Sequence, residues 1–318
     1  MIMKYMLLIF LSLFLWNCQP NIETGKTPPP KEQAISVAQK KKINNQLDKY
    51  WYQGKAEISR YELQQNRYAD THPGEAILIF VTEDFLTDKQ VKNDNYQNPN
   101  SVPILKNNRI RKFPTGIYDY SMMTSVFTPV NNQKFTGTLK VTNSSQEWCG
   151  HTFMQLNRKK EYFDVGLRSY FENEGDQLQK VELAILEDEL FNRIRINPDE
   201  LPKGQFRLYP SMNISRLLHL DFKALDVNAS LSSYTGDTFD GTDLKVYQVE
   251  FPSLRRSLSI VFQAASPYTI EGWEDTYPSV FDRKPRTTVA KRTHTVLNPY
   301  WQQNALEDMA LRPSLGIE

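Results

Sequence analysis

The sequence predicts a mainly β protein with a few short helices, its strands forming one strongly curved antiparallel sheet, a half-open barrel or a sandwich. Three observations carry this. Several segments alternate apolar and polar residues with period two, as half-buried strands do. Turn-forming clusters separate these segments at short intervals. Helical periodicity is confined to brief stretches, and some ten strands in one sheet must curl or split rather than stay flat.

Taken in order, Met6–Trp16 is a short uncharged apolar run after Lys4, and Cys18 follows it. A run of this length is too short to span a bilayer, which takes about 20 helical residues, and it matches the apolar part of an export leader. Leu15-Trp16-Asn17-Cys18 resembles a bacterial lipobox, with leucine in its usual place and Asn17 where Gly, Ala or Ser is usual. Residues 1–18 are therefore expected to be a lipoprotein signal peptide with Cys18 as the lipidation site, and 19–35, with Pro28-Pro29-Pro30, a tether. Only Glu23 is acidic in the stretch after Cys18, so the expected place is the outer membrane, facing the periplasm.

Residues 36–318 are expected to be a single antiparallel β-rich domain with N-terminal and C-terminal helices. Ser36–Tyr50 carries Val37, Ile43 and Leu47 at helical spacing. Ala76–Val81 is continuously apolar, which suits a strand covered on both faces. Lys134–Thr142 alternates, with Phe135, Gly137, Leu139 and Val141 on one side. Glu161–Phe171 does the same, a turn follows at 172–176, and Gln179–Leu186 returns as its partner. Glu187–Ile196 reads as a short helix stopped by Pro198. Leu244–Phe251 and Arg255–Ala264 form a hairpin about Pro252-Ser253. Arg286–Val296 favours strand, and Trp301–Leu311 a closing helix ended by Pro313. Loops are expected at Asp88–Pro103, Gly236–Asp243 and Ser266–Pro285.

The net charge of +1 argues against a nucleic-acid footprint, and the short basic strings Lys40-Lys41-Lys42 and Arg109-Ile110-Arg111-Lys112 read as solvated surface. The four histidines lack metal-ligand spacing, and no cofactor motif is present. With Cys18 acylated, Cys149 has no thiol to pair with in the chain.

One constellation could carry chemistry. Read as a continuous strand, Glu147, Cys149 and His151 stand on one face, spaced roughly 7 Å apart. A thiol beside an imidazole can ionise and act as a nucleophile, which defines a cysteine-dependent hydrolase or transferase using Cys149 with His151, or with the distant His219 or His294. Against it, residues two apart on a strand stand parallel and their tips meet poorly. A free cysteine also packs readily as a small hydrophobe. The aromatic and turn-rich Phe113–Ser121, with Tyr118 and Tyr120, and the aromatic–acidic Trp273–Tyr277, with Trp273 and Tyr277, are candidate binding residues on loops. The expected function is that of a lipid-anchored cell-envelope protein with a non-catalytic binding or structural role, engaging an apolar ligand, a glycan or an envelope partner. The membrane contact is the N-terminal lipid.

Ala76–Phe85, Phe113–Ser121, Gln146–Gly150 and Asn197-Pro198-Asp199-Glu200-Leu201-Pro202 together resemble a family of uncharacterised Bacteroidota lipoproteins, some members of which are labelled "septum formation inhibitor". The resemblance covers most of the mature chain and implies an envelope lipoprotein. The septum-inhibitor pyrophosphatases proper carry a Ser-Pro-Arg-Arg-type phosphate motif. That string does not occur here, so the label implies no catalytic residue and no substrate for this chain.

Overall fold

The structure, a computed structural model, describes residues 47–130, 135 and 137–317. The leader, Cys18, the tether and most of the Ser36–Tyr50 helix lie outside the described residues. The described elements run β1 (Ala56–Arg67), β2 (Asp70–Leu86), β3 (Val91–Lys92), β4 (Ser101–Thr115), β5 (Tyr118–Pro129), β6 (Lys140–Glu147), β7 (Gly150–Arg158), β8 (Tyr162–Ser169), β9 (Gln177–Glu182) and β10 (Ile185–Leu186). Then come α1 (Leu190–Ile196), β11 (Gly204–Tyr209), α2 (Met212–Leu218), β12 (Leu225–Ser233), β13 (Leu244–Phe251), β14 (Arg256–Gln263), β15 (Ile270–Pro278) and β16 (Pro285–Asn298).

All of these strands belong to one sheet, in the order β10-β11-β12-β13-β14-β15-β16-β1-β2-β4-β5-β6-β7-β8-β9, with β3 appended to β2. The sheet is an antiparallel meander whose first and last strands meet in its middle, where β16 pairs with β1. Its two free edges, β9 and β10, are separated in sequence only by Leu183 and Ala184. A sheet whose opposite edges are joined by two residues has to curl back on itself. Irregular registers at Arg60/Tyr61 and at Val261/Phe262 add bend, as bulges do. The result is the expected curved, unclosed sheet. It has more strands than sequence alternation shows, and its one parallel pair is β10 with β11.

The concave face is filled by the chain itself. After β10, a 3-10 turn (Glu187–Glu189) leads into α1, whose Leu190, Phe191 and Ile194 share one apolar cluster with Tyr61, Leu78, Phe80, Leu105, Tyr247, Ile260 and Trp273 from both halves of the sheet. A second cluster joins Val141, Leu156, Phe163 and Val165 of β6–β8 to Leu186, Tyr209 and Met212, closing the concavity across the seam. The helix is seven residues long, far too short to hold itself together in water, so packing and side-chain partners must keep it.

Those partners are buried charges. Arg195 makes paired hydrogen bonds to Glu57 at 2.5 and 2.6 Å, with neither side chain exposed. Arg256 clasps Glu187 at 2.6 and 2.7 Å and Asp275 at 2.6 and 2.9 Å. Asp188 receives Arg109 and the backbone amide of Met212. Glu189 receives the backbone amide of Thr138 at 2.8 Å, and Asn192 donates to the Leu105 carbonyl at 2.8 Å. The polar residues of 187–195 are thus anchored to opposite walls of the sheet, which fixes the helix in rotation and depth.

The Ala76–Val81 run is covered on both faces. Ala76, Leu78 and Phe80 face the interior, while Val81 lies with Ala56 and Ile58 in an outer cluster against Val296, Tyr300 and Leu315. The C-terminal segment that provides this cover is 3-10 throughout (Tyr300–Gln302 and Leu306–Leu315) and continues through Pro313, where an α-helix ending before Pro313 is predicted. Two further expectations are corrected. Strand β6 starts at Lys140, after the described residues 135 and 137–139 of the expected Lys134–Thr142 strand, whose first residue lies outside the described residues. Residues 270–278, assigned to a loop, are the central strand β15, paired on both sides. Among the described residues no helix is long and apolar enough to cross a membrane.

Candidate functional site: the turn-bearing rim

Antiparallel hairpins send successive turns to alternate ends of a sheet. The β1–β2, β4–β5, β6–β7, β8–β9 and β15–β16 turns therefore share one end, and α2 finishes beneath them. Contacts link these turns in two groups, which the pairing of β5 with β6 sets side by side as one arc. Phe281 of the β15–β16 turn meets Tyr68 of the β1–β2 turn edge to face at 5.1 Å. The Tyr68 hydroxyl bonds to that of Tyr118, beside the β4–β5 turn. Gly150, after the β6–β7 turn, has the ring of Tyr170 from the β8–β9 turn so close that a methyl group there would collide with it. Phe171 then stacks against Arg216 and His219 at the end of α2.

Four of these turns expose a large apolar side chain: Ile117 at 86 %, Trp148 at 72 %, Tyr170 at 75 % and Phe281 at 67 %. Single exposed apolar residues are ordinary, but four on neighbouring turn tips are a surface feature. At the opposite end the connections carry strings such as Asp88-Lys89 and Lys159-Lys160-Glu161 and expose Val91 and Tyr96, while the C-terminal segment that leaves β16 there exposes Trp301, Leu306, Met309 and Leu311.

Inside the arc lies a polar cluster around Arg67. Its Nε and Nη2 donate to the Tyr120 hydroxyl at 3.2 and 2.9 Å, and Nη1 donates to the Leu217 carbonyl at 2.6 Å. The guanidinium also sits 4.4 Å from the centre of the Tyr68 ring. Burial raises the pKa of Tyr68 above the ordinary phenol value, so its hydroxyl remains protonated and can donate. Arg67 lines a narrow cleft of about 10 Å³, room for about one water molecule, together with Asn66, Tyr68, Leu217, Leu218, Tyr277, Ser279 and Val280. That is below the roughly 300–1,000 Å³ of small-molecule pockets.

The predicted binding residues separate into two sets. Tyr118 and Tyr120 belong to this cluster, with Tyr118 partly exposed and Tyr120 buried on Arg67. Tyr277, buried in β15, contributes to the cleft wall, while its hydroxyl donates to the Asn66 carbonyl at 2.6 Å. Trp273 is 1 % exposed and packs on Tyr61 and Phe191 in the core, where no ligand reaches it.

Cys149 and His151 do not form a pair. Residues 147–151 are a hairpin and not one strand: Glu147 pairs with Gly150 across a turn made by Trp148 and Cys149. Glu147 turns inward to Arg216 at 3.3 Å, whereas His151 is exposed on the outer face. The thiol is exposed, and a hydrogen bond and negative charge from Glu147 push its pKa up, the wrong direction for a nucleophile. His219 is near this group but is held by Glu174 at 2.7 Å. Cys149 is therefore expected to alkylate more slowly than an unhindered thiol at about pH 7.5. Glu147→Gln should speed it several-fold by raising the thiolate fraction, measured with iodoacetamide and mass spectrometry. An unchanged or slower rate in the variant would show that the carboxylate is not what restrains the thiol. Among the described residues no group of three or more His, Cys, Asp or Glu is placed to hold a metal ion.

Arg67, Tyr68 and Phe281 were not among the residues singled out from the sequence. Their proximity depends on the pairing of β1 with β16, which joins positions more than two hundred apart, as in the Asn66–Arg286 contact. Comparison with protein-family models, with curated proteins and with solved structures returns no match for this chain.

Proposed function

We propose that the protein is a lipid-anchored component of a bacterial cell envelope that binds a partner through this rim and carries out no catalysis of its own. The leader and Cys18 support the anchor. The observation that carries the binding role is the arc of exposed Ile117, Trp148, Tyr170 and Phe281 around a polar cleft, since apolar centres bordered by polar groups are how interfaces are built. A sheet-enclosed apolar cargo is disfavoured because α1 and its ion pairs occupy the concave face.

Two measurements test this reading. A palmitate analogue fed to cells should label the protein, and Cys18→Ser should abolish the label. A photo-reactive amino acid placed at Ile117 or Phe281 should give discrete adducts in cells that the same group at Tyr96 does not. Recovery of unlabelled protein retaining Met1 would remove the anchor. Adducts from Tyr96 alone would remove the rim.

A further inference from the structure

We propose that the free edge of β9 pairs with the same edge of a second copy of this chain, antiparallel and about a two-fold axis at Gln179, so that the two sheets join into one. This surface is separate from the exposed turn tips of the rim and goes beyond the rim-binding reading.

Strand β9 ends the sheet, and the alternation of hydrogen bonds fixes which of its groups lie on the open side. In the β7–β8 hairpin the Lys159 amide donates to the Tyr162 carbonyl at 2.8 Å, so these residues are a hydrogen-bonded pair. Bonded and non-bonded pairs alternate along an antiparallel ladder. Asp164 and Gly166 therefore turn their backbone groups to β7. Phe163, Val165 and Leu167 turn theirs to β9, opposite Val181, Gln179 and Gln177. Leu178, Lys180 and Glu182 are left pointing away from β8. The Glu182 carbonyl is met from that side by the Tyr209 hydroxyl, which donates at 3.1 Å. The N–H and C=O of Leu178 and Lys180 meet no partner among the described residues.

Native sheets usually guard such edges with proline, bulges or outward lysines. Strand β9 has no proline and no bulge. Its one lysine, Lys180, lies back over the ring of Tyr162 on β8, at 4.9 Å, away from the open side. Leu178 leans over Gly166, where an added β-carbon would come within 3.3 Å of it, yet it remains 78 % exposed. The other edge strand, β10, spans only Ile185–Leu186.

Free donors and acceptors on alternate residues of a strand require an extended backbone, and β9 itself supplies one. With Leu178 opposite the second copy's Lys180, every free group of both residues finds its complement, and the contact is its own mirror across the axis, as a two-fold interface must be. Other registers with the same alternation are worse. Centring on Lys180 sets two lysines face to face. Centring on Leu178 relies on Asp176, which lies outside β9 and is held by Arg168 and the Ser169 amide. In the Gln179 register the two Leu178 side chains stand diagonally across the axis, each over the stem of the other copy's Lys180, which covers the exposed leucine. A contact one strand wide is small for a permanent dimer, so association should be reversible and concentration-dependent.

The test uses the full chain carrying Cys149→Ser, in mild detergent, oxidised with copper phenanthroline and read on non-reducing gels and by sedimentation. Residues opposite each other in a non-bonded pair have Cα atoms about 4.5 Å apart, within disulfide reach. Gln179→Cys should therefore cross-link to a dimer at least tenfold faster than Glu182→Cys, whose two copies lie about 20 Å apart at ~3.3 Å per residue. The same chain without an added cysteine sets the baseline. Leu178→Pro removes an outward N–H and no bond to β8. It should slow the Gln179→Cys cross-link at least tenfold and abolish the concentration-dependent rise in sedimenting mass, with an unchanged circular dichroism spectrum. Should that variant not fold, the contrast between positions 179 and 182 decides alone. Equal cross-linking at the two positions, a monomer at every concentration, or no effect of Leu178→Pro in folded protein overturns the proposal. A mixed disulfide in cells between Gln179→Cys and a different protein, in place of the dimer, also overturns it. None of these outcomes touches the adducts expected from Ile117 and Phe281, so the two readings fail separately.

Discussion

Arg195→Met is expected to cost about 3–5 kcal/mol of folding stability, the range for removing one partner of a buried ion pair. Arg195 and Glu57 have no exposed side-chain surface, and their paired hydrogen bonds tie α1 to β1. The guanidinium also lies against the rings of Trp51 and Phe80, at 4.7 and 4.8 Å from their centres, and its Nε donates to the Pro267 carbonyl at 2.8 Å. Burial alone would raise the pKa of Glu57. The charge and hydrogen bonds of Arg195, with the Tyr50 hydroxyl, hold it below the usual carboxylate range instead. Methionine fills the space but leaves that carboxylate buried with one phenol for company. Adding Glu57→Gln removes the stranded charge, so the double variant should recover about 1–3 kcal/mol relative to Arg195→Met. Urea titration followed by tryptophan fluorescence measures both, since Trp51 touches the altered side chain. A midpoint equal to that of the unmodified protein would mean the pair holds nothing together. A double variant no better than the single one would mean that lost packing, and not the orphaned charge, sets the cost.

The same buried charges explain which parts of the fold were legible in the sequence. The hairpin at 244–263, strand 286–296, the Ala76–Val81 run and the helix at 187–196 were readable because their inward positions are apolar or their turn chemistry is plain. Strand β4 was not. Its inward row is Leu105, Asn107, Arg109, Arg111 and Phe113, and Arg109-Ile110-Arg111-Lys112 reads as solvated surface until Asp188 arrives from another element to neutralise Arg109. Strand β15 was hidden in the same way, with Asp275 inward between Trp273 and Tyr277 because Arg256 waits for it. Period-two reasoning scores such a row as polar, because the partner that makes burial tolerable lies 79 residues away in one case and 19 in the other. Helix α2 spans two turns, too few for periodicity to register. At the rim, Tyr118 and Tyr120 could be found because aromatics crowd a Gly turn. Arg67 carried no local mark, since its partners Tyr120 and Leu217 reach it only in three dimensions.

Arg256→Met should be as damaging as loss of Arg195 at neutral pH, about 3–5 kcal/mol, and its cost should shrink on acidification. Arg256 is 2 % exposed and serves two carboxylates at once, Glu187 from the turn before α1 and Asp275 from β15. Burial pushes the pKa of both carboxylates up. For Glu187 the charge and hydrogen bonds of Arg256, with help from Ser211, win and hold it below the usual range. For Asp275 burial wins despite Arg256. In the intact protein, then, Glu187 contributes stability that is full above its unfolded pKa of about 4.3 and is lost as pH falls through its lower folded value. Asp275 acts in the opposite sense: its raised folded pKa costs stability at neutral pH, and that cost is relieved as pH falls through it. Without Arg256 both carboxylates are left facing each other in the interior, and both folded pKa values rise above their unfolded ones. The variant then carries its full penalty at about pH 7 and sheds it as the two groups protonate, so its deficit relative to the intact protein should narrow steadily between about pH 7 and pH 4.5. Urea midpoints for the two proteins across that interval measure the difference directly. A constant gap would assign the loss to packing against Phe251, over which the guanidinium lies at 4.6 Å, and a gap that widens in acid would mean that Glu187 and Asp275 do not depend on Arg256 for their charge.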